Sequence, residues 1–237
     1  MIRLSLPYYE GHPSFCGLGS LTMSLNALLL DPKRVWQGVW RWFDDSMLDC
    51  CSPLDKVRLE GITLPKVACL ARCNGANVKL VYGDSVSVED FRTDVSRVCS
   101  LPADSHRQVM VVSYSRKTLH QSGSGHFSPI GGYHAEKDMV LIMDVARFKY
   151  PPHWVPLQSL YDALQPIDPA TNKCRGYIML SVSEETRRDC CCGGAQDVAE
   201  ASGDIVKPAA SSNMEEGEEK IKALLDHTCA FCSEETV

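Results

Sequence analysis

The chain has 237 residues, 44% hydrophobic and 23% charged, the proportions of a globular protein with one sizeable domain. No apolar run approaches the roughly 18 residues of a membrane span, and the start, MIRLSLPYYEGHP, lacks the apolar core of a signal peptide. Residues 187–237 hold 5 Lys/Arg against 11 Asp/Glu, so the net charge of −6 resides there, and no basic patch points to nucleic acid.

In chain order, the first element is the helix in HPSFCGLGSLTMSLNALLLDPKR, residues 12–34. Leu18, Leu21, Leu25 and Leu28 recur at helical spacing, Pro13 and Ser14 signal its start, and Asp31-Pro32 closes it. The segment 35–51, with three tryptophans, reads as helical with a break near Gly38. Thr63 as cap, Pro65 in the first turn and Gly75 as stop predict a second helix, and residues 77–83 a strand. SVEDFRTDVSRVC carries a capping box, Ser87 to Asp90, with Val88, Phe91, Val95 and Val98 on one face. Strands follow at 108–114, 126–134, 139–146 and 176–182, with a short helix at 156–164. Helices followed by a sheet define an α+β class. Beyond residue 186 the composition turns small and acidic, which predicts a disordered, Cys-containing tail over 187–237 after a folded domain over 1–186.

Twelve cysteines without a secretory signal predict a reducing, cytosolic setting, where thiols serve catalysis or metal binding rather than a disulfide framework. Cys16 falls in the first turn of the first helix. There unpaired amide N–H groups and the helix dipole favour the thiolate, the nucleophilic form. Gly17 and Gly19 leave room for a substrate to reach the sulfur. A small buried thiol is the alternative reading. A nucleophilic cysteine needs a base and the base an orienting partner. His126 opens a strand after the small-residue loop QSGSG, and Asp144 ends the apolar run MVLIM; a strand-end cap is its alternative role.

The hairpin supplies a test. His126 and Asp144 share a sheet face if they are directly opposed, or if Ser128 opposes Asp144 and leaves them diagonal. With Phe127 or Pro129 opposite Asp144 they point to opposite faces. A cysteine at a helix start with histidine and carboxylate from a sheet is a papain-like arrangement, suited to acyl transfer through a thioester.

Three long segments, FCGLGSLTMSLNALLLDPKRVWQGVWRWFDDSMLDCC, GSGHFSPIGGY and LIMDVARFKYPPHWVPL, resemble the hallmark segments of the phytochelatin synthases over residues 12–183. The resemblance implies a papain-like α+β fold with Cys16, His126 and Asp144 as triad. It implies a γ-glutamylcysteine transpeptidase in which Cys16 takes γ-Glu-Cys from glutathione, releases glycine and passes the unit to a second, metal-bound glutathione. Arg147 and Tyr150 match positions tied to substrate binding, and Arg116 the arginine associated with the acceptor. Two carboxylates per glutathione call for such cations, a plain surface salt bridge being the alternative. Cys50, Cys51, Cys69 and Cys73 match positions linked to metal sensing. Cys69 and Cys73 lie one helical turn apart, suiting a soft ion such as cadmium, copper(I) or zinc, with plain buried thiols as the other reading.

The match departs from the family in two places. Only 15 residues precede Cys16, against a few dozen in the family, which reads as an N-terminally shortened catalytic domain. Six positions before the cysteine, where the family carries an oxyanion-hole glutamine, stands Glu10. Losing such a donor costs about 10²–10³ in rate, and His12 is a candidate substitute. Two further functions therefore stand beside the transferase: a deglycylating hydrolase, and a catalytically impaired thiol-rich metal binder.

Overall fold

The structure, a computed structural model, describes residues 13–35, 41–100, 108–147 and 149–182. Five helices are described: α1 (Cys16–Ala27), α2 (Leu54–Glu60), α3 (Leu64–Cys73), α4 (Val88–Ser100) and α5 (Leu157–Leu164). Six strands, β1 (Ala76–Tyr82), β2 (Gln108–Ser115), β3 (Gly125–His134), β4 (Met139–Ile142), β5 (His153–Pro156) and β8 (Gly176–Val182), form one antiparallel sheet in the order β1-β8-β2-β3-β4-β5. The two-residue strands β6 (Ile167–Asp168) and β7 (Lys173–Cys174) pair separately. The class is α+β as expected, and β1 precedes α4, in the order read from the sequence.

The period-2 alternation of the strands sorts the core into two layers. Val109, Val111, Phe127, Ile178 and Leu180 face the layer built by α1, α2 and α3. Met110, Val112, Tyr114, Ile130, Tyr177 and Met179 face the layer built by α4 and α5. Every residue from Gly17 to Leu25 is buried, so α1 is a central helix rather than an amphipathic surface one. The Ser24 hydroxyl donates to the Ser20 carbonyl at 2.7 Å, which satisfies one polar group inside that helix.

Several sequence signals have direct structural counterparts. At α4 the capping box is reciprocal: the Asp90 N–H donates to Ser87 Oγ (3.2 Å) and the Ser87 N–H to Asp90 Oδ2 (3.1 Å). Gly75, at φ +85°, ends the turn after α3, a conformation that suits glycine. The helix expected over 35–51 is a correction. Residues 41–51 form only one 3₁₀ turn, Asp45–Met47, because the Asp44 carboxylate accepts the Ser46 N–H and competes with helical pairing; residues 36–40 lie outside the described set. Helix α2 and strand β5 are additional elements, the latter hidden among prolines in YPPHWVP.

Strands β1 and β8 approach closely at Gly176, where a Cβ would run into the Val81 carbonyl oxygen and stand 2.8 Å from Tyr82 Cα. Gly176→Ala is therefore expected to destabilise the fold by about 1–3 kcal/mol, read as a lower urea midpoint with an unchanged slope.

Candidate active site

Strand β3 carries His126 one residue inside its start, opposite Tyr114 of β2. Near the hairpin end, Gly132 pairs with Leu141, a register that if continued would set Pro129 opposite Asp144, on the wrong face. One extra residue, Gly131, then bulges out of the ladder, and Ile130 pairs with Ile142. The Met143 N–H continues the new register by donating to the Pro129 carbonyl at 2.9 Å. Ser128 thus comes opposite Asp144, and His126 becomes its diagonal neighbour.

The two side chains meet: His126 Nε2 lies 2.8 Å from Asp144 Oδ1. Both are buried, at 5% and 0% exposure. Arg116, at the end of β2 and only 4% exposed, places Nη2 3.1 Å from Oδ1 and 2.9 Å from Oδ2 of the same carboxylate. The Ala146 N–H donates to Oδ1 at 2.9 Å, so three donors converge on one oxygen. Burial alone would raise the Asp144 pKa, but the His126 hydrogen bond, the charges of His126 and Arg116 and the Ala146 N–H hold it below the usual carboxylate value. Burial pushes His126 down, against the pull of Asp144. With the carboxylate ionised, Nε2 carries the proton and Nδ1 is the basic nitrogen.

Cys16 is the first residue of α1, half-buried. It packs against the pair Met23 and Val145, the latter adjoining Asp144. The Tyr114 hydroxyl is pushed up by burial first, then by the charges of Asp144 and Cys16, and the Tyr114 ring stands edge-on to His126 at 5.8 Å. The charges of Cys16 and Asp144 thus both act on the phenol whose ring stands against His126. Gly17 has a different role from the one its sequence suggested. A Cβ there would clash with Ile62 and stand 3.2 Å from Val67 and 3.4 Å from Phe127, so this glycine lets α1 close on its neighbours rather than admitting substrate.

The predicted cations divide. Arg116 is engaged by Asp144 and by Gln121, whose Oε1 accepts from Nη1 at 2.7 Å, and the Tyr150 ring covers it at 4.8 Å. The Tyr150 hydroxyl is 2.9 Å from the Ser122 N–H, from which it accepts, tying the 117–124 loop to Tyr150. Arg147 is half-buried, and its Nε has no partner among the described residues.

A further pair escaped the sequence reading. Arg175, 8% exposed, lies against Gly125, where a Cβ would meet its guanidinium. It is thus beside the strand start that carries His126. Its Nε is buried without a partner among the described residues, and Asp168 stands 3.9 Å from Nη2. The signal available was an arginine at a strand start, too common to single out.

The cysteines predicted for metal come together. Cys51 Sγ lies 2.8 Å from Cys69, 3.0 Å from Cys73 and 3.5 Å from Cys50. The ligand atoms of Cys50, Cys51 and Cys73 all lie within 4.8 Å of one another. The Cys51 thiol is pushed strongly up, first by its hydrogen bonds with Cys50 and Cys69, so without a cation the sulfurs share protons rather than ionise together. A thiophilic ion would take the place of those protons; thiolates at about 2.3 Å from one ion stand roughly 3.8 Å apart, so the cluster needs only a slight opening. Glu10, His12 and the cysteines of the tail lie outside the described residues, as does everything beyond residue 182. Among the described residues no helix is long and apolar enough to cross a membrane.

Fold and site together define an α+β protein in which a helix-start cysteine adjoins a buried histidine–aspartate–arginine array. Residues 7–177 match the phytochelatin synthase family, and the chain belongs to that family. It is 58% identical over 176 residues to glutathione gamma-glutamylcysteinyltransferase 3 of Lotus japonicus, covering 73% of this chain and 36% of that one. It is 56% identical over 172 residues to glutathione gamma-glutamylcysteinyltransferase 1 of Triticum aestivum (73% and 34% covered). The Schizosaccharomyces pombe glutathione gamma-glutamylcysteinyltransferase is 45% identical over 171 residues (72% and 40%). The chain thus spans little more than a third of the length of these curated relatives.

Two measurements check this geometry. Truncating one partner of a buried ion pair strands the other charge, so Arg116→Ala is expected to cost about 3–5 kcal/mol, measured by urea unfolding at neutral pH. Both Asp144 and His126 are held below their unfolded values, so the unfolded state binds more protons and acid destabilises the fold. The His126 contribution is complete above about 6.5 and is lost as pH falls below it; the Asp144 contribution is lost on falling below about 3.8. Midpoints measured from pH 7.5 downward should fall in those two windows, and His126→Gln should flatten the first.

Proposed function

We propose that the chain is a papain-like dipeptidyl transferase acting on glutathione. The observation that carries this is the His126–Asp144 hydrogen bond, built by the Gly131 bulge beside a half-buried cysteine at the start of a helix. In this reading Nδ1 of His126 takes the Cys16 proton and the thiolate attacks the Cys–Gly carbonyl carbon of glutathione. The tetrahedral intermediate collapses as the imidazolium returns the proton to the departing glycine nitrogen, leaving γ-Glu-Cys as a thioester on Cys16. The α-amino group of a second glutathione then attacks the thioester, His126 takes its proton, and the Cys16 thiolate leaves; the product is (γ-Glu-Cys)₂-Gly.

The buried charges apportion the substrate. The glutamyl end of glutathione carries an α-carboxylate and an α-ammonium, which suit Arg175, with its spare Nε, and Asp168. Arg116 serves the triad carboxylate rather than an acceptor directly, since its guanidinium is already engaged and covered. Arg147 is the cation with donor capacity left for a carboxylate of the acceptor. If no acceptor is held, water replaces it, and the same thioester gives the deglycylating hydrolase; the engagement of Arg116 is the observation favouring that second reading. Cys50, Cys51, Cys69 and Cys73 would hold a soft activating ion, cadmium, zinc or copper(I). The ion's chemistry there is thiolate binding; the steps of the transfer belong to Cys16 and His126.

Intact-mass spectrometry tests the reading. Purified chain mixed with glutathione and trace cadmium, quenched within seconds, is expected to gain one γ-Glu-Cys unit, absent in Cys16→Ser. A chain with no adduct, and with no glycine released on longer incubation, would overturn it. Oligomeric products indicate transfer, and free γ-Glu-Cys indicates hydrolysis. Separately, Cys51→Ser removes the sulfur at the centre of the cluster. It is expected to weaken cadmium binding by more than the roughly 10–100-fold that losing an outer partner costs, read from the thiolate-to-metal ultraviolet absorbance in a competition titration.

A further inference from the structure

The triad carboxylate is the inner end of a longer chain of hydrogen bonds that runs outward to β5. Arg116 Nη1 donates to Gln121 Oε1 at 2.7 Å, Gln121 Nε2 stands 2.9 Å from His153 Nε2, and His153 Nδ1 stands 2.8 Å from the Pro151 carbonyl oxygen. The protons in this chain are ordered by chemistry. A carbonyl oxygen only accepts, so His153 Nδ1 carries the ring proton, and Nε2 of the neutral ring is an acceptor. Gln121 therefore turns its amide N–H to His153, which leaves its Oε1 facing Arg116. The reverse orientation would set the amide N–H₂ against a guanidinium N–H, donor against donor. His153 thus selects the Gln121 orientation that Arg116 requires.

The enclosure of Arg116 reinforces the point. One side of its stem meets Gly123, at φ +111°, where a Cβ would stand 3.2 Å from Arg116 Cδ. The Tyr150 ring covers the guanidinium. The loop closes on itself through the Arg116 N–H to the Ser124 carbonyl (2.8 Å) and the Gln121 N–H to the Arg116 carbonyl (2.9 Å). For a guanidinium this buried, losing Gln121 leaves its outer nitrogen without a protein acceptor, a cost that favours rearrangement. Its remaining freedom is to rotate about its stem, which would withdraw Nη2 from Asp144.

We propose that Gln121 and His153 are positioning residues for the acyl-transfer reaction: Gln121 fixes the Arg116 guanidinium that orients Asp144, and His153 fixes Gln121. This rests on the reading of Cys16, His126 and Asp144 as the reacting set, although the positioning is measurable without turnover. In this proposal both residues act through Arg116 rather than on substrate, so their loss acts on kcat and leaves the KM for glutathione nearly unchanged. Because His153 acts through Gln121, the two losses do not add.

The experiment compares Gln121→Met, Gln121→Glu, His153→Phe and the Gln121→Met/His153→Phe double variant with the parent chain. For each, kcat is normalised to the fraction of Cys16 that iodoacetamide alkylates. Gln121→Met is expected to lower kcat about tenfold with KM changed less than twofold, and His153→Phe about threefold. The double variant should fall no lower than Gln121→Met alone. Gln121→Glu, which still accepts from Arg116, should recover most of the loss. In parallel, proton NMR follows the downfield N–H of His126 bound to Asp144, assigned by its disappearance in Asp144→Asn; in Gln121→Met it should broaden or shift upfield. An unchanged kcat and an unchanged resonance in Gln121→Met would overturn the proposal, as would losses that add in the double variant. If the parent chain makes no thioester, the functional reading fails, and the resonance alone still decides whether Gln121 holds the pair.

Discussion

A fully buried carboxylate is the constraint around which this molecule is arranged. Asp144 stays ionised because three donors, from Arg116, His126 and Ala146, converge on one of its oxygens while a guanidinium charge stands beside both. An unpaired charge at that depth costs several kcal/mol, so each neighbouring element serves to keep those donors in place. The arginine directly follows β2, the histidine is the second residue of β3, and the turn after β4 supplies the backbone N–H. The loop between β2 and β3 folds over the arginine, and Tyr150 closes it in. An ion pair so enclosed adds little net stability compared with apolar packing, but it permits few geometries. That restriction fixes which His126 nitrogen holds the proton toward Asp144.

The electrostatic division of labour follows from burial. Cations inside the site are spent in two ways. Arg116 is consumed by an internal carboxylate, whereas Arg147 and Arg175 each keep a buried Nε without a partner among the described residues. Spare donor capacity distinguishes a group available to bind from one that holds the framework. The thiol cluster illustrates the same economy of charge. The Cys51 thiol, hydrogen-bonded among its neighbours, is held well above the ordinary thiol range, and a soft cation bound there would displace its proton.

Single residues decide where local pattern and tertiary structure agree or part. The capping box at Ser87 and Asp90, the stop at Gly75 and the strands around 108–115 and 176–182 were legible because each depends on neighbours in sequence. The segment 41–51 was misread as helix because aromatic spacing said nothing of Asp44 capturing a backbone N–H. Strand β5 was missed because its prolines mask an edge position where a missing N–H is tolerated. Gly17 was assigned to substrate access, but its reason lies in Ile62, Val67 and Phe127, residues far along the chain that no local pattern brings near it.

What the sequence by itself determined is the set of chemical groups and their local frames: a cysteine at a helix start, a histidine opening a strand, a carboxylate ending an apolar run, paired cysteines one helical turn apart, and three long segments shared with a family. Periodicity and capping are short-range, so one chain suffices to read them. The tertiary structure decided whether those groups meet. The His126–Asp144 pairing hangs on one bulged glycine, since a sheet has a side-chain period of two and one extra residue exchanges its faces. The employment of Arg116, the spare capacity of Arg175 and the gathering of three other sulfurs around Cys51 are likewise outcomes of three-dimensional enclosure. Burial decides which charge must be paired, and no spacing along the chain encodes burial by itself.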